Sequence, residues 1–265
     1  MKKIALILFT LLLLPSQSWA HAWLKLRIAT TEYPPFTSTE MEHDGYINHI
    51  TRQAFLEAGV VVEFTSMAWE DALKATLDGK YDAVSYGNFV RTREDEFWHS
   101  KPITAENLVF LSRKDSGIDM WETLGDLKAH TMGMTEGYLY TDELSKYIKD
   151  NESVATRKTD KDNINALLNG DIDIFPIDEL TGWYLLQSEF SKEQRRELHH
   201  VQPFISTITT HLLVPKDQQD SRLVLELFNR GIEQLTLDGK MQRFKRLLKQ
   251  GFYQNPQKPV NYDRR

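Results

Sequence analysis

Residues 24–36 read LKLRIATTEYPPF, and they set a pattern that the rest of the chain repeats. Leu24 to Thr30 is a β run, followed by a loop in which Pro34 and Pro35 stiffen the backbone between Tyr33 and Phe36. From about Tyr46 to Ala58, the residues Ile47, Ile50, Ala54, Phe55 and Ala58 recur at helical spacing and stop at Gly59. Val60 to Phe64 predicts a second strand, Trp69 to Leu77 a short helix closed by Gly79, and Asp82 to Tyr86 a third strand. Short strands alternating with amphipathic helices belong to α/β layers, not to a sandwich or a helical bundle.

The alternation restarts near Leu108. Strands are expected over 108–112, 131–135, 154–158 and 172–175, with helices over 124–128, 141–149, 161–168 and 178–187. A last β run, Ile205 to Val214, precedes two helices, 221–237 and 240–250, punctuated by Asp238-Gly239. The polar tail after Phe252 carries Pro256 and Pro259 and reads as an extended or disordered strap. No segment is low in complexity, and no repeat occurs at the periods of solenoids.

At the N-terminus, Lys2 and Lys3 precede an apolar stretch from Ile4 to Leu14 and a small-residue end at Ser18-Trp19-Ala20. That is the order of a secretory signal peptide, residues 1–20. The apolar stretch is about half of the roughly 20 residues that cross a bilayer, so the chain is expected to be released into the periplasm. Cleavage leaves His21 at the new terminus, or Trp23 if Ala20-His21-Ala22 is the processing site. The chain contains no cysteine, which excludes a lipid-modified cysteine anchor, a disulfide scaffold and a thiol enzyme. Its net charge is −6, and losing Lys2 and Lys3 takes the mature chain to −8. That balance argues against nucleic acid and anionic membrane surfaces as partners.

In order, the motifs resemble those of the bacterial extracellular solute-binding proteins of family 3, the polar amino-acid receptors of uptake systems. The resemblance rests on Leu26 to Thr30 with Tyr33-Pro34-Pro35-Phe36, on Asp44-Gly45-Tyr46, and on Leu77-Asp78-Gly79-Lys80-Tyr81-Asp82-Ala83. Further along it rests on Arg93 ahead of Ser100-Lys101-Pro102, on Leu124 to Gly137, on Asn169 to Asp173 leading to Asp178, and on Asp238-Gly239-Lys240. It implies an α/β, two-lobed type II periplasmic-binding fold with a two-crossing hinge and a ligand cleft between the lobes. Lobe 1 is expected to comprise 23–105 plus 208–265 and lobe 2 to comprise 106–207, with crossings at 105–107 and 203–207. The double crossing restricts motion to bending of two near-rigid bodies.

The same resemblance implies roles for particular residues. Arg93 is the candidate for a ligand carboxylate, which guanidinium grips through two parallel hydrogen bonds. Arg91 is its alternative, because this region is one residue shorter than the family's usual serine-rich stretch. Asp178 is the candidate for a ligand ammonium, or else a helix cap alone. Tyr33 is expected to pack on the ligand or cover the edge of lobe 1, and Trp69 to form a second wall or belong to the core. Gly137-Tyr138-Leu139 is expected to open a helix and offer backbone N–H donors. Where the family carries small hydroxyl residues, this chain reads Val84-Ser85-Tyr86-Gly87-Asn88-Phe89. Tyr86 and Asn88 therefore become candidate ligand contacts, and the pocket is expected to be more aromatic than usual, with the ammonium partner in more doubt than the carboxylate partner.

The expected function is capture of a small amino-acid-like carboxylate and its delivery to an inner-membrane ABC-type permease, by a monomer without cofactor, metal or catalysis. Docking on a sensor receptor is the main alternative. A dehydratase of the cyclohexadienyl type, drawing on Glu32, Glu136 or Glu179, is another. Walker, zincin, nucleophile-elbow and dinucleotide motifs are absent from the sequence. His199 and His200 are adjacent rather than at ligand spacing, and His43 and His49 are expected on different helix faces. N-terminal sequencing of the exported protein should read from His21 or Trp23; a chain still starting at Met1 would refute the signal assignment.

Overall fold

The computed structural model describes residues 24–138 and 140–254. The signal segment 1–20, Leu139 and the tail from 255 lie outside the described residues. The strands are β1 (Leu24–Thr30), β2 (Val60–Ser66), β3 (Ala83–Asn88), β4 (Phe97–His99) and β5 (Thr104–Arg113), then β6 (Met132–Thr135), β7 (Val154–Arg157), β8 (Ile174–Asp178) and β9 (Leu198–Pro215). The helices are α1 (Tyr46–Glu57), α2 (Trp69–Leu77), α3 (Asp142–Asp150), α4 (Asp160–Asn169), α5 (Glu179–Glu189), α6 (Lys192–Glu197), α7 (Ser221–Leu237) and α8 (Lys240–Lys249).

The strands form one continuous path, β2-β1-β3-β9-β5-β8-β6-β7, with β4 also on β9. β1 runs parallel to β2 and β3, and β6 runs parallel to β7 and β8. Between these two groups, β5 and β9 are antiparallel to each other and to β8 and β3. The expected crossings fall inside this central pair, where Asn107 lies opposite Thr207. A side-chain bond reinforces the spot: the Thr207 hydroxyl donates to Asn107 Oδ1 at 2.9 Å.

Buried strands carry apolar residues on both faces, as sheets covered on both sides require. Leu26 and Ile28 of β1 enter one core and Ala29 another; Val109 and Leu111 of β5 enter one core and Phe110 another. The helical spacing read from Ile47 to Phe55 becomes the face of α1 that packs on Val224, Phe228, Ile232 and Leu235 of α7. These helices touch at Gly231, where a Cβ would collide with the Ala54 carbonyl oxygen.

Several expectations need correction. The run expected over 205–214 is the longer β9, which begins at Leu198. Its first half was hidden by His199, His200, Gln202 and Pro203. These residues are tolerated because the ladder with β5 breaks register between Leu108 and Phe110, leaving Pro203 in the break where no N–H is needed. Residues 124–128 form a short 3-10 turn, Leu124–Leu127, closed by a Thr123–Asp126 capping box. Nor do His43 and His49 lie apart: their rings stack with centroids 4.1 Å apart, because His43 sits on a turn ahead of α1 with φ of 56°. Burial, with the charges of His43, Arg52 and Arg243 adding to it, lowers the His49 pKa to about 4.

Gly231→Ala should destabilise the protein by about 1–3 kcal/mol through overpacking of the α1–α7 contact. Urea unfolding would measure this, and an unchanged midpoint would show that the helices can move apart freely.

Candidate functional site

The loop after β1 is held at both ends. Tyr33 and Thr37 bridge through Tyr33 N–H to Thr37 O at 2.7 Å. The carbonyls of Pro35 and Phe36 then accept the N–H groups of Tyr46 and Ile47, so the loop satisfies donors at the start of α1 that no helical partner can reach. Gly45, with φ of 96°, permits this approach, since a Cβ there would come 2.6 Å from Phe36 O. The Tyr33 ring is thereby fixed against Phe36 (centroids 5.7 Å, stacked) and Tyr86 (6.3 Å). From beyond the crossings, Tyr138 meets it edge-on at 6.4 Å.

Asp178 ends β8 and caps α5, its Oδ1 accepting the Thr181 N–H at 2.8 Å. Capping uses only one oxygen. Oδ2 is buried without a hydrogen bond. Glu106 on β5 is the residue sequence reasoning missed. Leu108 pairs with Asp178, so Glu106, two positions earlier on the same face, is the diagonal neighbour of Asp178. Both carboxyls are only 6% exposed. Tyr86 and Asn88 lie close enough to act on the Glu106 carboxyl, yet Glu106 Oε1 and the Tyr86 hydroxyl complete no hydrogen bond of normal geometry. The Thr181 hydroxyl is in the same condition.

These groups strongly perturb one another. Burial, reinforced by the Asp178 charge, pushes the Glu106 carboxyl well up. Burial also pushes Asp178 up to about 7, against the lowering effect of Thr181. Tyr33 and Tyr86 are raised by burial and then by Glu106. The charged neighbours acting on the two tyrosines and Glu106 are acidic, with no lysine or arginine among them.

Tyr138 reaches the cleft by a route other than the expected one. α3 starts at Asp142 behind a Thr141 cap, so Gly137-Tyr138 precedes the helix rather than opening it, and the Tyr138 N–H turns back to Thr135 O at 3.4 Å. Its ring and hydroxyl are what it presents, the hydroxyl donating to Asp160 Oδ2 at 2.7 Å. Phe89 is 45% exposed and points away, whereas Tyr86 is buried.

Arg93 and Trp69 form a second group. Arg93 lies on a 3-10 turn with its guanidinium 5.1 Å from the Trp69 ring centre, a cation–π contact. It is half-buried while Arg91 is exposed, and burial lowers its pKa against the pull of Glu70. Of the acids considered for catalysis, Glu32 accepts bonds from Thr39 and Ser66, Glu179 accepts one from Asn107, and Glu136 is exposed.

The sequence model of the bacterial extracellular solute-binding proteins, family 3, matches residues 26–247. The chain belongs to this family. No curated protein matches it in sequence. Among solved structures, the family 3 protein is similar to a mutant of ArgBP from T. maritima: 21% identity, 85% of this chain, 95% of that one, TM-score 0.66. It is also similar to a histidine kinase sensor domain with similarity to periplasmic binding proteins, at 20% identity, 84% and 94% coverage and TM-score 0.66. An ancestral amino acid-binding protein, a precursor of cyclohexadienyl dehydratase, matches at 19% identity, 84% and 94% coverage and TM-score 0.65. At such identities the likeness establishes the fold, which is the type II periplasmic-binding fold. Among the described residues, no helix is long and apolar enough to cross a membrane.

In this family 3 protein Tyr86, Glu106 and Asp178 are buried, while Tyr33 and Tyr138 are partly exposed. Acids whose pKa is raised on folding bind more protons in the folded state, so their contribution to stability falls as pH rises from about 4 toward the raised value. The melting temperature of ligand-free Glu106→Gln should therefore match wild type near pH 5 and exceed it increasingly toward pH 8. A difference independent of pH would remove Glu106 from the buried pair.

Proposed function

We propose that the mature protein is a periplasmic solute-binding protein whose two lobes, 23–105 plus 208–265 and 106–207, close on a small amino-acid-like solute. The observation that carries this is Asp178, buried at the cleft with one oxygen capping α5 and the other unpartnered among Tyr33, Tyr86 and Thr181. An ammonium group supplies N–H donors to such an oxygen, and tyrosine faces favour a cation beside them. In this reading Tyr138 closes the site from the second lobe, Asn88 borders it, and Arg93, stacked on Trp69, takes the solute's carboxylate. A ligand that binds only the closed form shifts the lobes toward closure by its differential affinity, with no chemical step. The closed form delivers the solute to an ABC-type permease.

The likeness to a histidine kinase sensor domain and to the periplasmic domain of BvgS from B. pertussis supports a second reading, in which the closed form docks on a signalling receptor. Both readings share the same closure and differ in the partner that reads it.

A thermal-shift screen of amino acids and related amines and acids should give at least one ligand. Asp178→Asn should weaken that ligand at least tenfold, about 1.4 kcal/mol. Arg93→Ala should weaken a carboxylate-bearing ligand by more than twofold; a smaller change would move the carboxylate site elsewhere.

A further inference from the structure

We infer that the cleft selects solutes of net positive charge, with Glu106 as the second carboxylate that makes the selection. The inference rests on the reading that Asp178 lies in the solute site, and narrows it. The register of β5 and β8 puts Glu106 and Asp178 diagonally adjacent on one sheet face. Each has a buried oxygen without a hydrogen bond, and the Tyr86 and Thr181 hydroxyls beside them are also buried and unpartnered. A buried carboxyl oxygen without a donor is unfavourable, and more so when charged. The protein groups that act on the Glu106 carboxyl, Tyr86 and Asn88, leave its Oε1 without a hydrogen bond.

A single carboxylate suffices for the ammonium of a zwitterion. A second one buried beside it, with no lysine or arginine acting on Glu106, takes up its charge only at a cost that a solute of net zero charge does not offset. A guanidinium or diamine offers both more charge and more N–H groups, enough to reach Glu106 and Asp178 together. The rings of Tyr33 and Tyr86 add faces that favour a cation. Glu106 is thus a specificity-determining residue, distinct from Asp178 because it caps no helix.

The test uses isothermal calorimetry on the mature protein with L-arginine, agmatine, L-glutamine and L-glutamate as probes. At least one of the two cationic probes should bind tenfold or more tightly than L-glutamine, and L-glutamate should be weakest. Glu106→Gln should shrink the cation preference to under threefold. Preserved circular dichroism and melting would show that the variant is folded, and the conservative Glu106→Asp should keep part of the preference. If L-glutamine bound as tightly as both cationic probes, or if Glu106→Gln left the preference within twofold of wild type, the inference would fail. In either case, L-glutamine binding that is lost in Asp178→Asn would leave the solute-binding reading standing. Failure of both cationic probes to bind overturns the inference as well.

Discussion

The antiparallel ladder between β5 and β9 is the constraint on which the structure hangs. Each half of the sheet has its own parallel strands and its own covering helices, and among the described residues only this pair joins them edge to edge. The same ladder, extended to β8, decides which side chains share the cleft. Moving β5 by one residue against β8 would turn Glu106 away from Asp178 and rotate Val109 and Leu111 out of their core, so packing protects the register of the site. Asn107 ties this arrangement together, accepting from Thr207 on β9 and donating to Glu179 at the start of α5.

Much of this was legible in the sequence because it is local. The helical spacing from Ile47 to Phe55, the glycine before Tyr46 and the proline loop beside Tyr33 each express constraints that act within a few residues. Tyr33, Tyr86, Tyr138, Asn88 and Asp178 were readable as candidates, and the structure gathers them. Glu106 was not, since a glutamate at the start of a strand reads as an ordinary solvated residue until a partner seventy positions away fixes its neighbour. The first half of β9 was hidden for a similar reason: its polar and proline residues suit a strand only once β5 and the register break are known. Arg93 was legible as a candidate cation, but its stacking on Trp69 depended on the short turn at 91–93, which no periodicity announces.

The weight of the two ends of the solute also changes. From sequence, the carboxylate partner looked firmer than the ammonium partner, because an aromatic residue had replaced small hydroxyls. The structure sets that aromatic residue beside the buried carboxyls: Tyr86 packs on Phe36 and faces Glu106. A site with several unpartnered buried polar atoms is held in place by its rigid surroundings rather than by its own interactions, which is how functional sites commonly trade stability for recognition.

Asp178 divides its two oxygens between framework and cleft, and this bears on how the protein could diversify. A residue with a structural duty cannot be exchanged without also disturbing α5, so the proposed anchor for the solute is tied to the fold. Asn88 and Glu106 cap no helix and belong to no hydrophobic core, so they can be exchanged with less disturbance of the framework. Descendants of this chain would therefore keep a common point of attachment while changing the cargo attached to it.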